Sequence, residues 1–122
     1  MSMASIENPE IRVGKVGNAK IISFPVKHDL TKSPKWNPGD QLPMPLKKIK
    51  LNARAYIGKF LGEDSDRWVY SGLDIISDKN ERDTRWFYYI RYRNLDSDDF
   101  FWLAVTMDGQ VFPLIKAKAD KQ

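Results

Sequence analysis

The apolar residues of this chain change period partway along, and that change constrains the fold more than any other feature. From Leu46 to Leu61 they recur at spacings of three and four, as Leu46, Ile49, Ala53, Tyr56, Ile57, Phe60 and Leu61. This is the stripe of an amphipathic helix. Pro45 suits the start of that helix and Gly62 its stop. A rival reading ends a strand at Leu51 and starts a shorter helix with Asn52 as its cap.

Beyond Arg67 the period is two. Arg67–Ile76 places Val69, Ser71, Leu73 and Ile75 on one face and Trp68, Tyr70, Gly72 and Asp74 on the other. Thr84–Arg93 places Trp86, Tyr88, Ile90 and Tyr92 opposite Arg85, Phe87, Tyr89, Arg91 and Arg93. Phe100–Met107 is an apolar strand. Asp108-Gly109 is a two-residue hairpin signal. Gln110–Lys116 is the returning strand, which Pro113 marks as an edge. The expected class is α+β: one helix packed on a curled four-stranded antiparallel meander, each strand pairing with its chain neighbour.

The first 45 residues read differently. Six of the seven prolines lie there. Proline has no donor and a fixed φ, so Thr31–Pro45 reads as a loop or extended arm. Ile11–Val16 alternates, and Gly17-Asn18 turns it back toward Lys20–Val26 as a hairpin. The division expected is an extended, basic, proline-rich arm over 1–45, with edge strands, and an α+β domain over 46–122.

With 42% hydrophobic and 30% charged residues the composition is globular. The absence of cysteine excludes thiolate chemistry and disulfides. A lone histidine, His28, cannot build a multi-histidine metal site, and Asp29 beside it lacks a nucleophile. The loop acids Glu63, Asp64, Asp66, Asp96, Asp98 and Asp99 lack a calcium-loop pattern. No nucleotide or hydrolase motif occurs. The expectation is therefore a non-enzymatic chain with no cofactor and no metal. No apolar run reaches membrane-spanning length. The N-terminus shows no signal peptide, which makes a cytoplasmic location the default unless a signal was trimmed.

The layout over about residues 46–116 resembles the cystatin-like group, including NTF2-like and PepSY-like domains. The resemblance rests on the helix, a strand carrying Trp68, the run Arg85-Trp86-Phe87-Tyr88-Tyr89-Ile90-Arg91-Tyr92, and Phe101–Met107 followed by Asp108-Gly109-Gln110-Val111. It implies a helix lying across a curled sheet. Such folds host enzymes, small-molecule binders, inhibitors and secretion-associated modules. The cystatin inhibitory pattern Gln-x-Val-x-Gly is absent, and the lone histidine lies outside the matched region.

Three binding readings follow. The first is a protein or peptide partner held on an aromatic-rich sheet face by Phe87 and Tyr89 with Arg85, Arg91 and Arg93. The second is single-stranded nucleic acid. Residues 1–62 hold 11 basic and 4 acidic side chains, whereas the remainder holds 9 and 12. The basic helix residues Lys47, Lys48 and Arg54 belong to that excess, together with Lys50 and Lys59. The third is a small molecule between helix and sheet, as the resemblance implies. It depends on whether Trp68, Trp86 and Trp102 leave that space open.

Overall fold

A computed structural model describes residues 2–5, 12–23, 30–78 and 83–118. His28 and Asp29 lie outside the described residues, as does most of the turn after Asp78. The elements in chain order are β1 (Ser2–Ser5), β2 (Arg12–Val16), β3 (Ala19–Ser23), α1 (Leu46–Leu61), β4 (Trp68–Ser77), β5 (Trp86–Asn94), β6 (Phe100–Thr106) and β7 (Ile115–Lys118).

The class is α+β with the helix packed on the sheet, but the four-stranded meander is corrected. The strands form one seven-stranded sheet in the order β1-β4-β5-β6-β2-β3-β7. Six run antiparallel, and β1 lies parallel to β4 along Asp74–Ser77. Residues expected in a separate arm thus supply three strands. The short β2–β3 hairpin forms as expected, with Arg12 opposite Ser23 and Val16 opposite Ala19.

The last strand does not pair with its chain neighbour either. The Asp108-Gly109 turn is wider than a two-residue hairpin. The Gly109 N–H donates to Thr106 O at 3.0 Å, Gly109 takes φ 91°, and the Thr106 N–H donates to Gln110 O at 2.8 Å. This arrangement fits a three-residue loop ending in a left-handed glycine. Pairing with β6 continues only through Val111 and Phe112. Pro113 then has no N–H to offer. The Leu114 N–H goes to the Tyr56 hydroxyl on α1 at 2.9 Å, and the chain resumes as β7 against β3.

Helix α1 has the bounds its stripe predicts, which removes the rival start at Asn52. Pro45 enters at φ −58°, and Gly62 ends the helix at φ 68°. Ile49, Ala53 and Ile57 are buried against the sheet among Tyr88, Ile90, Phe101, Leu103 and Val105. The opposite sheet face carries a second, smaller core of Ile76, Phe87, Tyr89, Ala104 and Phe112, with Leu30 and Trp102 against it.

Two contacts fix the N-terminal strands onto β6 and its neighbours. Gly14 crosses the β6 backbone so closely that a Cβ there would lie 2.3 Å from both Phe100 O and Phe101 Cα. Arg12 spreads its guanidinium over Trp102 at 4.4 Å and Tyr89 at 4.9 Å, and pairs with Asp74 at 3.4 Å. The loop before α1 is anchored by Ser33. This buried hydroxyl donates to Trp86 O at 2.9 Å and accepts from the Met107 N–H at 3.0 Å.

Candidate ligand-binding cleft

A single helix cannot cover this sheet. An α-helix with its side chains is about 10–12 Å wide, and neighbouring strands lie about 4.8 Å apart. One helix therefore covers about two strands. Helix α1 approaches β6 more closely than β4. Beside its N-terminal half, over β4 and β5, a cleft of about 550 Å³ remains open.

The floor of the cleft is apolar. Trp68, Leu73 and Tyr92 line it from the sheet and are themselves nearly buried. Leu46 and Leu51 line it from α1, and Tyr70 from β4. Leu51 and Tyr70 are 58% and 42% exposed. Tyr92 stacks on Phe101 with ring centres 5.7 Å apart. Burial pushes the Tyr92 phenol up to about 12, opposed by the positive charge of Arg54 and reinforced by Tyr70. It stays a neutral phenol at any ordinary pH.

A β-bulge builds this floor. The β4–β5 register slips between Tyr70 and Gly72, leaving Ser71 unpaired. An extra residue reverses the alternation of side chains. Trp68 and Tyr70 thereby join Leu73 on the helix side, which corrects the expectation that they lie on the face opposite Leu73. The Ser71 hydroxyl meets the Arg91 carbonyl at 3.3 Å.

The rim is basic. Lys47, Lys50 and Arg54 stand at spacings of three and four, so they form one ridge along α1. The Lys50 Nζ lies 4.0 Å from the centre of the Tyr70 ring. Arg54 Nη1 donates to Trp68 O at 3.3 Å, across the cleft from helix to sheet. Among the described residues no acidic side chain lines the cleft. The first turn of α1 holds no acid, and its N-cap Pro45 makes no side-chain hydrogen bond. Lysines in a first turn oppose the helix dipole.

The eight residues singled out from sequence do not form one site. Lys47 and Arg54 line the cleft, whereas Lys48 is exposed beside it. Phe87 and Tyr89, expected at the surface of the open face, are 0% exposed. Their rings contact each other edge to face at 5.4 Å within the second core. Arg85 is structural: it pairs with Asp83 at 2.9 Å and donates to the Ser33 carbonyl. Arg91 lies 5.0 Å from the centre of the Phe100 ring, and Arg93 is exposed. Sequence reasoning missed Leu51 and Tyr70. The readable signal was Leu51, an apolar residue off the helix stripe.

Of the three tryptophans in question, Trp86 is filled against Trp36 at 5.7 Å, and Trp102 lies on the opposite face under Arg12. Of the three, Trp68 lines the cleft. A second, polar depression of about 360 Å³ lies beyond Trp68, with Arg67 and Asp96 paired at 2.8 Å on its wall. Among the described residues no three His, Cys, Asp or Glu side chains cluster as a metal site, and no helix is long and apolar enough to cross a membrane.

No known protein family matches the chain, and no curated protein or solved structure matches it either.

Proposed function

We propose that this domain is a non-enzymatic binding module whose ligand occupies the α1–β4 cleft, presenting an apolar body to the floor and negative charge to the rim. The observation that carries this is the lining itself: among the described residues, an aromatic and aliphatic floor edged by three cations and no acid. The volume suits such a role, because ligand sites commonly span about 300–1,000 Å³. The ionisable groups in the cleft are Lys47, Lys50, Arg54, Tyr70 and Tyr92, which offer no carboxylate to pair as a general acid or base.

Magnitudes decide how binding responds to salt. Burying about 100 Å² of apolar surface contributes roughly 2–3 kcal/mol. Each solvent-exposed ion pair adds about 0.2–1 kcal/mol. The apolar part is the larger and is not screened. Salt should weaken binding without abolishing it. Single-stranded nucleic acid would behave oppositely. The sheet face of Phe87 and Tyr89 offers no surface to a stacked base or to a peptide, because both rings are buried.

The test uses anilinonaphthalene sulfonate, an aromatic body with one negative charge. Saturable fluorescence enhancement that survives moderate salt and is lost in Tyr70→Ser and Lys50→Glu supports the reading. Enhancement unchanged in both variants, or no saturable binding, removes it.

A further inference from the structure

We infer that the natural occupant of this cleft is an acidic amphipathic helix of a partner protein, lying alongside α1 over the cleft mouth between Leu51 and Tyr70. This rests on the binding role proposed above and names the partner.

Two observations favour a helix. The cleft lies beside α1, and packed helices sit about 8–10 Å apart. A second helix in that position would cover Leu51 and Tyr70, the exposed apolar side chains of the cleft. The basic ridge runs along the α1 axis: Lys47, Lys50 and Arg54 span about two turns, roughly 10 Å. A neighbouring helix with acids at the same spacing of three and four would meet every cation in turn. A compact monoanion would meet one or two of them.

The sheet edge argues against the other peptide mode. Strand β1 pairs only with Asp74–Ser77, so the first half of β4 carries no strand on its outer side among the described residues. An extended peptide could be added there in principle. The bulge at Ser71 breaks the ladder at the middle of that edge. Arg54 already donates to the Trp68 carbonyl, and the Trp68 N–H is taken by Ser65 O. Bulges and charges are the devices that blunt an edge strand. What this margin leaves open is Tyr70, which stands exposed at the cleft mouth.

The charge of the partner follows from the rim. A basic or neutral helix would leave three cations facing it across a partly desolvated groove. Acids at the flanks of its apolar stripe would pair them. Its apolar stripe would carry one or two large side chains, which is what a cleft of about 550 Å³ accepts.

The experiment uses the full chain and three labelled 18-residue peptides of designed sequence. The first has Leu and Phe at helical spacing flanked by Glu. The second has the same composition rearranged to alternate at every second position. The third is the first with Lys in place of Glu. Anisotropy measures binding, competition with anilinonaphthalene sulfonate locates it, and circular dichroism reads helix formation.

The expected result is binding of the first peptide with a gain of helix signal and displacement of the dye. The second and third should bind at least about tenfold more weakly. Lys50→Glu should weaken the first peptide by about tenfold or more. Equal or tighter binding of the alternating peptide overturns the helical occupant, and so does equal binding of the lysine peptide. Dye binding without any peptide binding overturns the partner and leaves the cleft reading intact. Absence of both dye and peptide binding overturns both.

Discussion

Lys50 and Tyr70 meet across the mouth of the cleft, the ammonium 4.0 Å from the ring centre. One belongs to α1 and the other to β4, so the contact joins the two walls at the point where a ligand enters. At an exposed site such a cation–π contact contributes about 0.5–1 kcal/mol. Tyr70 is half out of solvent contact and packs no core, so its removal should barely touch the fold. Tyr70→Ser is expected to lower stability by less than about 1 kcal/mol while weakening dye binding about tenfold. Chemical denaturation and a dye titration on the same sample check the two halves. A loss of several kcal/mol would make Tyr70 structural.

Lys47 stands in the first turn of α1, where the helix dipole disfavours a cation and no acid offsets it. Reversing its charge should help the helix and harm the site. Lys47→Glu is expected to stabilise the fold by about 1 kcal/mol, a rise in Tm of about 4 °C. The same change should weaken an anionic ligand. Calorimetry and dye titration together read this trade, and a fall in both stability and binding would contradict it.

Alkaline pH should expose the burial of Tyr92. Its phenol is raised to about 12 in the folded state, against about 10 in an unfolded chain. Below pH 10 both states hold the proton and the full stability is present. As pH rises from 10 to 12 the unfolded state ionises first and stability falls, by an amount on the order of 2–3 kcal/mol for this group. Tyr92→Phe should flatten that limb. Denaturation midpoints between pH 9 and pH 12 measure it, and an identical limb in the variant would show that Tyr92 is not the source.

The aromatics of the other sheet face should behave as core. Phe87 is fully buried against Tyr89, so Phe87→Ala is expected to cost about 3–5 kcal/mol. Arg93, exposed on the same strand, should tolerate alanine with a change under about 0.5 kcal/mol. Neither change should alter the intrinsic affinity of the cleft in the fraction that remains folded. A stable Phe87→Ala protein with altered binding would return the site to that face.

Much of the fold was legible because periodicity carries it. The stripe Leu46–Leu61 became a helix with those bounds, and the alternation of Trp86–Tyr92 placed its residues on the two faces as read. What failed has physical causes. Strand β1 has only four residues, too few for alternation to stand out, and nothing within the short β2 and β3 shows which strand each joins. The closing pair β3–β7 joins residues nearly a hundred positions apart, and Pro113 diverts the chain toward it. The bulge at Ser71 turns Trp68 and Tyr70 to the helix side, and a one-residue slip leaves no mark in composition. The cleft depends on that slip and on the lateral position of α1. Sequence reading therefore found its three cations, Lys47, Lys50 and Arg54, and of its floor only Trp68.

The most direct measurement is an amide-resolved NMR titration of the full chain with anilinonaphthalene sulfonate at moderate salt. If the cleft is the binding site, saturable shifts concentrate in Lys47–Arg54 and Tyr70–Leu73 and in the indole N–H of Trp68, and Lys50→Glu removes them. Shifts centred on Arg85–Arg93, or shifts that never saturate, would contradict it.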